Sequence, residues 1–191
     1  MSRWQPNARG RLEQATLELF AERGYEQTTV AEIAARAGLT ERTFFRHFAD
    51  KREALFSGQD ALEALLVAAV AAAPEAAAPI DAVAAALAAA GAQFARRRED
   101  LLLRQAIIGT HPELRERELI KLGSLTAALA GALRRRGVAD SAAGLSAEAG
   151  TAVLRIAVER WLGQDTSDSA GDLDGIIRAT LAELKAVAAG A

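Results

Sequence analysis

The sequence predicts an all-α protein of about nine helices. Apolar residues recur three and four positions apart along most of the chain, which is the spacing of one helix face. Runs in which β-branched and polar residues alternate are almost missing, and Ala, Leu, Glu and Arg are abundant among the 191 residues. Because 51% of the residues are hydrophobic, the chain can bury a real core.

The first predicted helix runs from about Asn7 to Arg23. Leu12, Leu19 and Phe20 fall on one of its sides. Gly24 follows directly and suits the left-handed conformation that ends many helices.

Residues 28–51 predict a helix-turn-helix, a motif that binds DNA. Thr29 and Glu32 have the spacing of a capping box, Gly38 suits the turn, and Thr40 is a good N-cap for the second helix. Phe44 and Phe48, four positions apart, point inward on that second helix. The residues left facing outward, where a helix in a major groove contacts bases and phosphates, are Glu41, Arg42, Phe45, Arg46 and His47.

The rest of the chain predicts further helices separated by proline, glycine and capping residues. Asp50, with Glu53 three positions later, predicts the start of one long helix that passes Leu55 and Leu62 and ends near Ala73. The segments predicted after it are Ile80 to about Arg98, Asp100–Thr110, Pro112–Arg136, Ser146–Leu162 and Leu173–Ala188, with a polar loop from Gly163 to Gly171.

The last two predicted helices each have an apolar side, which holds Trp161 in the first and Ile177 and Leu181 in the second. Such helices either complete the core of one chain or pair with the same helices of a second copy in a four-helix interface, and the sequence is compatible with both. Because a palindromic DNA site requires a symmetric partner, we predict a homodimer that forms through these two helices.

Composition limits the class of protein. Cysteine is absent, the first ten residues lack the apolar core of a secretion signal, and no later apolar stretch is long enough to span a bilayer, so we expect a cytoplasmic protein without membrane contact. Only two histidines occur, and no phosphate-binding loop or nucleophile motif is present, so we predict no enzyme, cofactor or metal site.

The charge is nearly balanced, because residues 1–56 carry nine Lys/Arg and eight Asp/Glu, and the remaining residues carry fourteen and seventeen. Phosphate binding must then depend on local placement of cations rather than on a basic domain. The candidates are Arg9, Arg11, Arg42, Arg46, Lys51 and Arg52.

The N-terminal third resembles the DNA-binding domain of the TetR/AcrR family of transcriptional repressors. The resemblance lies in LELFAERGYEQTTVAEIAARAGLTERTFFRHFADKREALF, which has an aromatic-ended helix, Gly-Tyr, Thr-Thr-Val, Ile-Ala, Ala-Gly-Leu, a capped recognition helix and then Phe-x-x-Lys in that family's order. It implies a DNA-binding domain in residues 1–55 and an effector-binding and dimerisation domain in residues 56–191. The implied function is a regulator, most simply a repressor, that a small molecule releases from a palindromic double-stranded operator.

The resemblance assigns individual contacts. It implies that Thr40 caps the recognition helix, that Thr43 lies near phosphates and that Lys51 reaches a phosphate. Phe45 stands where the family usually has a tyrosine, so it is left to pack against a sugar or a thymine methyl. Arg42 is the first candidate for a guanine contact, with a phosphate contact or an ion pair to Glu41 as the alternative. The full set of predicted DNA-binding residues is Thr28, Thr29, Thr40, Glu41, Arg42, Thr43, Phe45, Arg46, His47 and Lys51.

The effector cannot be identified from the sequence. Residues that combine apolar bulk with a few polar groups, as ligand cavities do, are Phe94, Leu102, Gln105, Ile108, His111 and Trp161, although each is also compatible with plain packing. His111, beside Pro112, is alternatively a helix-end cap. The competing function is a ligand-independent helix-turn-helix activator or architectural DNA-binding protein, which needs no cavity.

Overall fold

A computed structural model of the chain describes residues 7–164 and 172–190. Within these residues every regular element is helical, so the all-α prediction is confirmed. None of the helices in these two ranges combines the length and hydropathy that a membrane span requires. The elements are α1 (Ala8–Arg23), α2 (Val30–Arg36), α3 (Glu41–His47), α4 (Lys51–Leu55), α5 (Gln59–Ala72), α6 (Pro79–Phe94), a 3-10 turn (Ala95–Arg97), α7 (Arg98–Thr110), α8 (Pro112–Arg135), α9 (Asp140–Leu162) and α10 (Leu173–Ala189).

The helix predicted from Asp50 to Ala73 is interrupted, which corrects that prediction and brings the described α-helices to ten. Asp50 caps α4 as expected, but residues 56–58 form a turn before α5 begins. Two features of the turn disfavour a continuous helix. Gly58 is a poor helix former, and the Ser57 carbonyl accepts a hydrogen bond from Arg9 Nη2 at 2.8 Å. Phe56 is buried at the same point, with 2% of its surface exposed.

The chain divides into two compact units, Met1–Gly58 with Leu102–Glu118, and Gln59–Leu101 with Leu119–Ala191. The first unit has a core in which residues of the N-terminal helices pack with residues from α7 and α8. Its most deeply buried members include Leu12, Ile33, Phe44, Ile108 and Leu114. The buried position of Phe44 agrees with the inward side predicted for the second helix of the motif.

The second unit packs α5, α6, α9, α10 and the C-terminal part of α8 around another apolar core. Leu66, Leu87, Leu129 and Val153 are nearly or fully buried there. Gly150 of α9 lies directly against Val83 of α6, since a Cβ atom built on this glycine would collide with a Val83 methyl. Small residues therefore allow these two helices to approach closely.

The structure corrects which residues of α10 can take part in the predicted dimer interface. Ile177 and Leu181 are only 1% and 8% exposed, because α6 and α9 of the same chain cover them. They therefore belong to the core of the monomer. The exposed apolar residues on α9 and α10 are Leu145 and Val187. Most of the loop predicted from Gly163 to Gly171 lies outside the described residues.

Candidate nucleic-acid interface

The start of α2 is fixed by a reciprocal cap that the sequence predicts. Thr29 Oγ1 accepts a hydrogen bond from the Glu32 amide at 3.2 Å, and Glu32 Oε2 accepts one from the Thr29 amide at 2.9 Å. The bond from the Thr29 amide, together with one that the Thr29 hydroxyl donates to the same Glu32 oxygen at 2.9 Å, holds the pKa of the Glu32 carboxyl below its usual value, with Arg23 contributing less. The capping box is thus confirmed, and its carboxylate is stabilised in the charged form.

The turn between α2 and α3 orients the second helix. Gly38 adopts a positive φ of 65°, a conformation that glycine accepts without steric cost, and the Leu39 amide donates to the Ala34 carbonyl at 2.8 Å. Thr40 then caps α3 by accepting from the Thr43 amide at 3.2 Å. The second helix of the motif therefore begins at Glu41, as the sequence predicts.

The outer side of α3 presents two cations and one aromatic ring. Arg42 and Arg46 are exposed, and neither makes a hydrogen bond or an ion pair with any residue in the described part of the chain. Phe45 is 56% exposed, and its ring stands edge-on against buried Phe44, with 5.6 Å between centroids and 83° between planes. Because the two charges are uncommitted, they are free to contact phosphates or bases.

The other predicted residues on α3 differ in exposure. Glu41 is exposed in the first turn, whereas Thr43 is half-buried with its hydroxyl 3.1 Å from that of Thr40. His47 is half-buried, and its Nε2 atom lies buried without a hydrogen-bond partner among the described residues. Exposure alone thus favours Glu41, Arg42, Phe45 and Arg46 over Thr43 and His47.

Thr28 differs from its prediction. Its side chain is 1% exposed, and the hydroxyl donates to the Gly24 carbonyl at 2.9 Å. The side chain is therefore used to close the turn after α1 and is not available to DNA. Thr29 is exposed, but its hydroxyl is committed to the capping box.

Lys51 is also turned toward the protein. Its Nζ donates to the carbonyls of Tyr25 at 2.7 Å, Thr28 at 3.0 Å and Glu26 at 3.4 Å, and it lies 4.3 Å from the centre of the Tyr25 ring. An ammonium group has three protons, and all of them have acceptors here. A phosphate contact would require this side chain to release one of them.

Two other cations expected near phosphates have partners inside the first unit. Arg9 pairs with Glu13 and donates to the Ser57 carbonyl, and Arg52 pairs with Asp50 at 2.8 Å. Burial raises the pKa of Asp50, but its hydrogen bonds and the charge of Arg52 outweigh that effect and lower it. These arginines therefore support the structure of the unit.

Residues of α7 and α8 within the first unit contact the elements that hold the motif. Arg117 forms an ion pair with Glu53 of α4, with Nε donating to Oε1 at 2.8 Å. Arg104 pairs with Glu118 at 3.1 Å and lies 4.8 Å from the centre of the Phe56 ring. Burial lowers the pKa of Arg104, and Glu118 opposes that shift. The sequence gives no signal for these contacts, because their partners lie far apart in the chain.

His111 belongs to the same part of the first unit. Its Nδ1 lies 2.9 Å from the Ile107 carbonyl oxygen near the end of α7, and its ring stands 5.2 Å from that of Tyr25. The interpretation of His111 as a helix-end cap is therefore confirmed.

The residues predicted to line one effector cavity fall into two groups. Leu102, Gln105, Ile108 and His111 belong to the first unit, where Ile108 is core and Gln105 is exposed. The second unit contains the other two, Phe94 and Trp161. The six candidates are therefore divided between the two units, and their role in effector binding stays a prediction.

Trp161 does line a cleft of about 610 Å³ in the second unit. The guanidinium group of Arg98 lies over the Trp161 ring, with its central carbon 5.5 Å from the ring centre. The same group donates hydrogen bonds to the carbonyls of Trp161, Leu162 and Gln164 at the end of α9. The alanine-rich side of α6 and the start of α10 complete the walls. The described residues contain no group of three or more His, Asp or Glu side chains placed to hold a metal ion.

Comparison with known proteins identifies the N-terminal part of the chain. Residues 13–57 match the family described as bacterial regulatory proteins, tetR family. The chain is also 40% identical over 75 residues to the HTH-type transcriptional regulator TcmR of Streptomyces glaucescens. That match covers 39% of this chain and 33% of the length of TcmR.

Solved structures resemble the whole chain. A transcriptional regulator of Pseudomonas aeruginosa PAO1 superposes with a TM-score of 0.64 at 23% identity, over 97% of this chain and 94% of that one. The regulator FadR of Bacillus subtilis, solved in complex with stearoyl-CoA, superposes with a TM-score of 0.62 at 20% identity, over 92% of this chain and 96% of FadR. At this level of identity the likeness concerns the fold.

Proposed function

We propose that the chain is a TetR/AcrR-type transcriptional regulator, because residues 13–57 match that family and 75 residues are 40% identical to TcmR. In this proposal it binds a palindromic DNA operator as a homodimer and acts as a repressor that a small molecule releases. The observation that carries the DNA-binding part is the capped helix α3 with Arg42, Phe45 and Arg46 on its outer side. In this arrangement the N-terminal residues of a recognition helix contact base edges.

We assign different roles to the exposed cations. Arg42, in the first turn of α3, reads a guanine, because a guanidinium can donate to both acceptors of that base. Arg46, near the helix end, contacts a phosphate, which positions the protein without specifying sequence. Glu41, Thr43 and His47 remain predicted contacts near these two.

Selection of genomic fragments by the purified protein, followed by sequencing, tests the proposal. We expect enriched fragments to share two inverted half-sites whose centres lie about 34 Å apart or a multiple of that distance. Arg42→Ala should relax base preference at one position in each half-site, whereas Arg46→Ala should weaken all sequences alike and reduce the salt dependence. Equal binding to operator and random duplex at moderate salt would contradict specific recognition.

For release by a small molecule, we propose the half-open cleft beside Trp161 in the second unit as the candidate effector site. FadR of Bacillus subtilis was solved with stearoyl-CoA, so this acyl-CoA is the first probe. We expect an effector to shift the protein from operator to free form in an electrophoretic assay. If stearoyl-CoA has no effect, a panel of cell metabolites tests the broader proposal with the same readout.

We propose that the dimer forms through the exposed sides of α9 and α10. Leu145 on α9 and Val187 on α10 are 70% and 73% exposed, although both are large and apolar. Burial of these two apolar side chains against a second copy would stabilise a dimer. This face is distinct from the side of α10 that holds Ile177 and packs inside the monomer.

Leu145→Glu tests the interface, because a glutamate buried without a partner costs several kcal/mol. We expect the variant to fold, to be monomeric by light scattering and to bind the operator weakly. Leu119→Glu is a matched control, since Leu119 on α8 is 67% exposed and lies outside the proposed interface. Dimeric Leu145→Glu protein together with monomeric Leu119→Glu protein would place the interface on α8 instead.

A further inference from the structure

The aromatic ring on the outer side of α3 has no polar atom. Phe45 is 56% exposed, and α3 carries no other exposed large apolar residue. The ring packs edge-on against Phe44, which is 0% exposed, so one edge of the ring contacts the core of the first unit. The rest of the ring presents an apolar surface to a partner.

The position of Phe45 on the helix relates it to Arg42. Residues three apart on a helix are neighbours on its surface, so the Phe45 ring and the Arg42 side chain share one row along α3. The rise between them along the helix axis is about 4.5 Å, and successive base pairs are about 3.4 Å apart. Groups that the two side chains contact in the major groove therefore lie within one or two base pairs of each other.

We propose that Phe45 is a specificity-determining residue that recognises the C5-methyl group of a thymine next to the base read by Arg42. Among the groups that base edges present in the major groove, the thymine methyl is the apolar one. A phenylalanine can neither donate to nor accept from the other base-edge groups, and it cannot donate to a phosphate as the hydroxyl of a tyrosine could. The inference rests on the proposed DNA-binding function and adds to it the chemical group that Phe45 reads.

The test uses the operator obtained by genomic selection, with each thymine replaced in turn by deoxyuridine, which lacks only the methyl group. We expect wild-type affinity to fall about fourfold at one position in each half-site, and about fifteenfold when both half-sites are changed, because a buried methyl contributes about 0.8 kcal/mol. The sensitive position should lie within two base pairs of the one where Arg42→Ala relaxes base preference.

Phe45→Ala separates this contact from other sources of thymine preference. The variant should melt at the wild-type temperature, since the ring is mostly exposed, and it should bind the thymine and deoxyuridine operators equally. Arg46→Ala is the control and should keep the fourfold difference. The slope of affinity against salt should be the same for Phe45→Ala and wild type, because no charge is removed.

Two results would overturn the inference while leaving the proposed function intact. One is wild-type binding that ignores deoxyuridine at every position. The other is a Phe45→Ala variant that binds all sequences more weakly and still distinguishes thymine from deoxyuridine, which would assign the ring to a sugar contact. Failure to select any operator would instead contradict DNA binding itself.

Discussion

Replacing Lys51 by methionine separates a structural role of this lysine from a phosphate contact. Methionine keeps a long apolar stem but cannot donate hydrogen bonds. The ammonium donates to three carbonyls in residues 25–28, two of them at 3.0 Å or less, and lies over the Tyr25 ring. That segment immediately precedes α2, so the lysine links the start of α4 to the entry of the DNA-binding motif.

The magnitude follows from these contacts. Hydrogen bonds to a charged donor contribute about 1.5–3 kcal/mol each when buried, and a cation over an aromatic ring about 0.5–1 kcal/mol. Because Lys51 is only half-buried, water replaces part of this, and we expect Lys51→Met to lower the free energy of unfolding by about 2–4 kcal/mol. For a chain of this length the melting temperature should then fall by about 5–15 °C.

The assay combines thermal unfolding followed by circular dichroism with operator binding at several salt concentrations. Lys51→Met should melt earlier, whereas its salt slope should match that of wild type. Arg46→Met is the control, because Arg46 makes no hydrogen bond or ion pair within residues 7–164 and 172–190. That variant should melt normally and lose about 0.9 from the slope for each phosphate contact removed. A Lys51→Met protein that melts like wild type and loses slope would refute our reasoning and restore the phosphate contact.

Three further perturbations test the packing and the electrostatics. A double-mutant cycle on Glu53 and Arg117 by urea unfolding should give a coupling energy of about 1 kcal/mol, because the pair is partly buried, and a coupling near zero would show that it is only a surface contact. Gly150→Ala should destabilise the protein by about 1–3 kcal/mol, because the added methyl collides with Val83 of the neighbouring helix. The control Gly144→Ala, on the same helix, adds a methyl in open space and should stabilise the protein by up to about 1 kcal/mol. Equal melting temperatures of the two variants would contradict the close approach of the helices. Glu32→Gln should lower the free energy of unfolding most above about pH 4.5 and progressively less as the pH falls, because the pKa of this carboxyl in the folded state lies below its unfolded value. A difference in unfolding free energy between variant and wild type that does not change with pH would exclude the charged cap.

Local features of the fold could be predicted from the sequence. The caps at Thr29, Thr40 and Asp50 each depend on residues within three positions, and all three are present. Propensity at Gly58 was too weak a signal to predict the helix break, because the Arg9 contact that accompanies it comes from 48 positions away.

Features that depend on distant residues could not be predicted. An amphipathic pattern predicts that Ile177 is buried, but it does not show which chain buries it. A helix of the same chain and a helix of a second copy can cover the same apolar face equally well. The orientation of Lys51 toward carbonyls likewise depends on the path of residues 25–28, which no local pattern specifies. In the candidate site, the exposed side of α3 was predicted, whereas the commitment of Thr28 and Lys51 to internal contacts was not.

The discontinuous make-up of the first unit has a consequence for engineering. Exchanging DNA-binding domains between related regulators is usually imagined as cutting one chain at a single point and joining another. Here a fragment that ended at Gly58 would leave behind Ile107, Ile108 and Leu114, which fill the core beneath the N-terminal helices. Such a fragment would expose apolar surface and lose the ion pair between Glu53 and its partner on α8. A working chimera would have to carry residues 102–118 together with the N-terminal helices, as two grafts made at once.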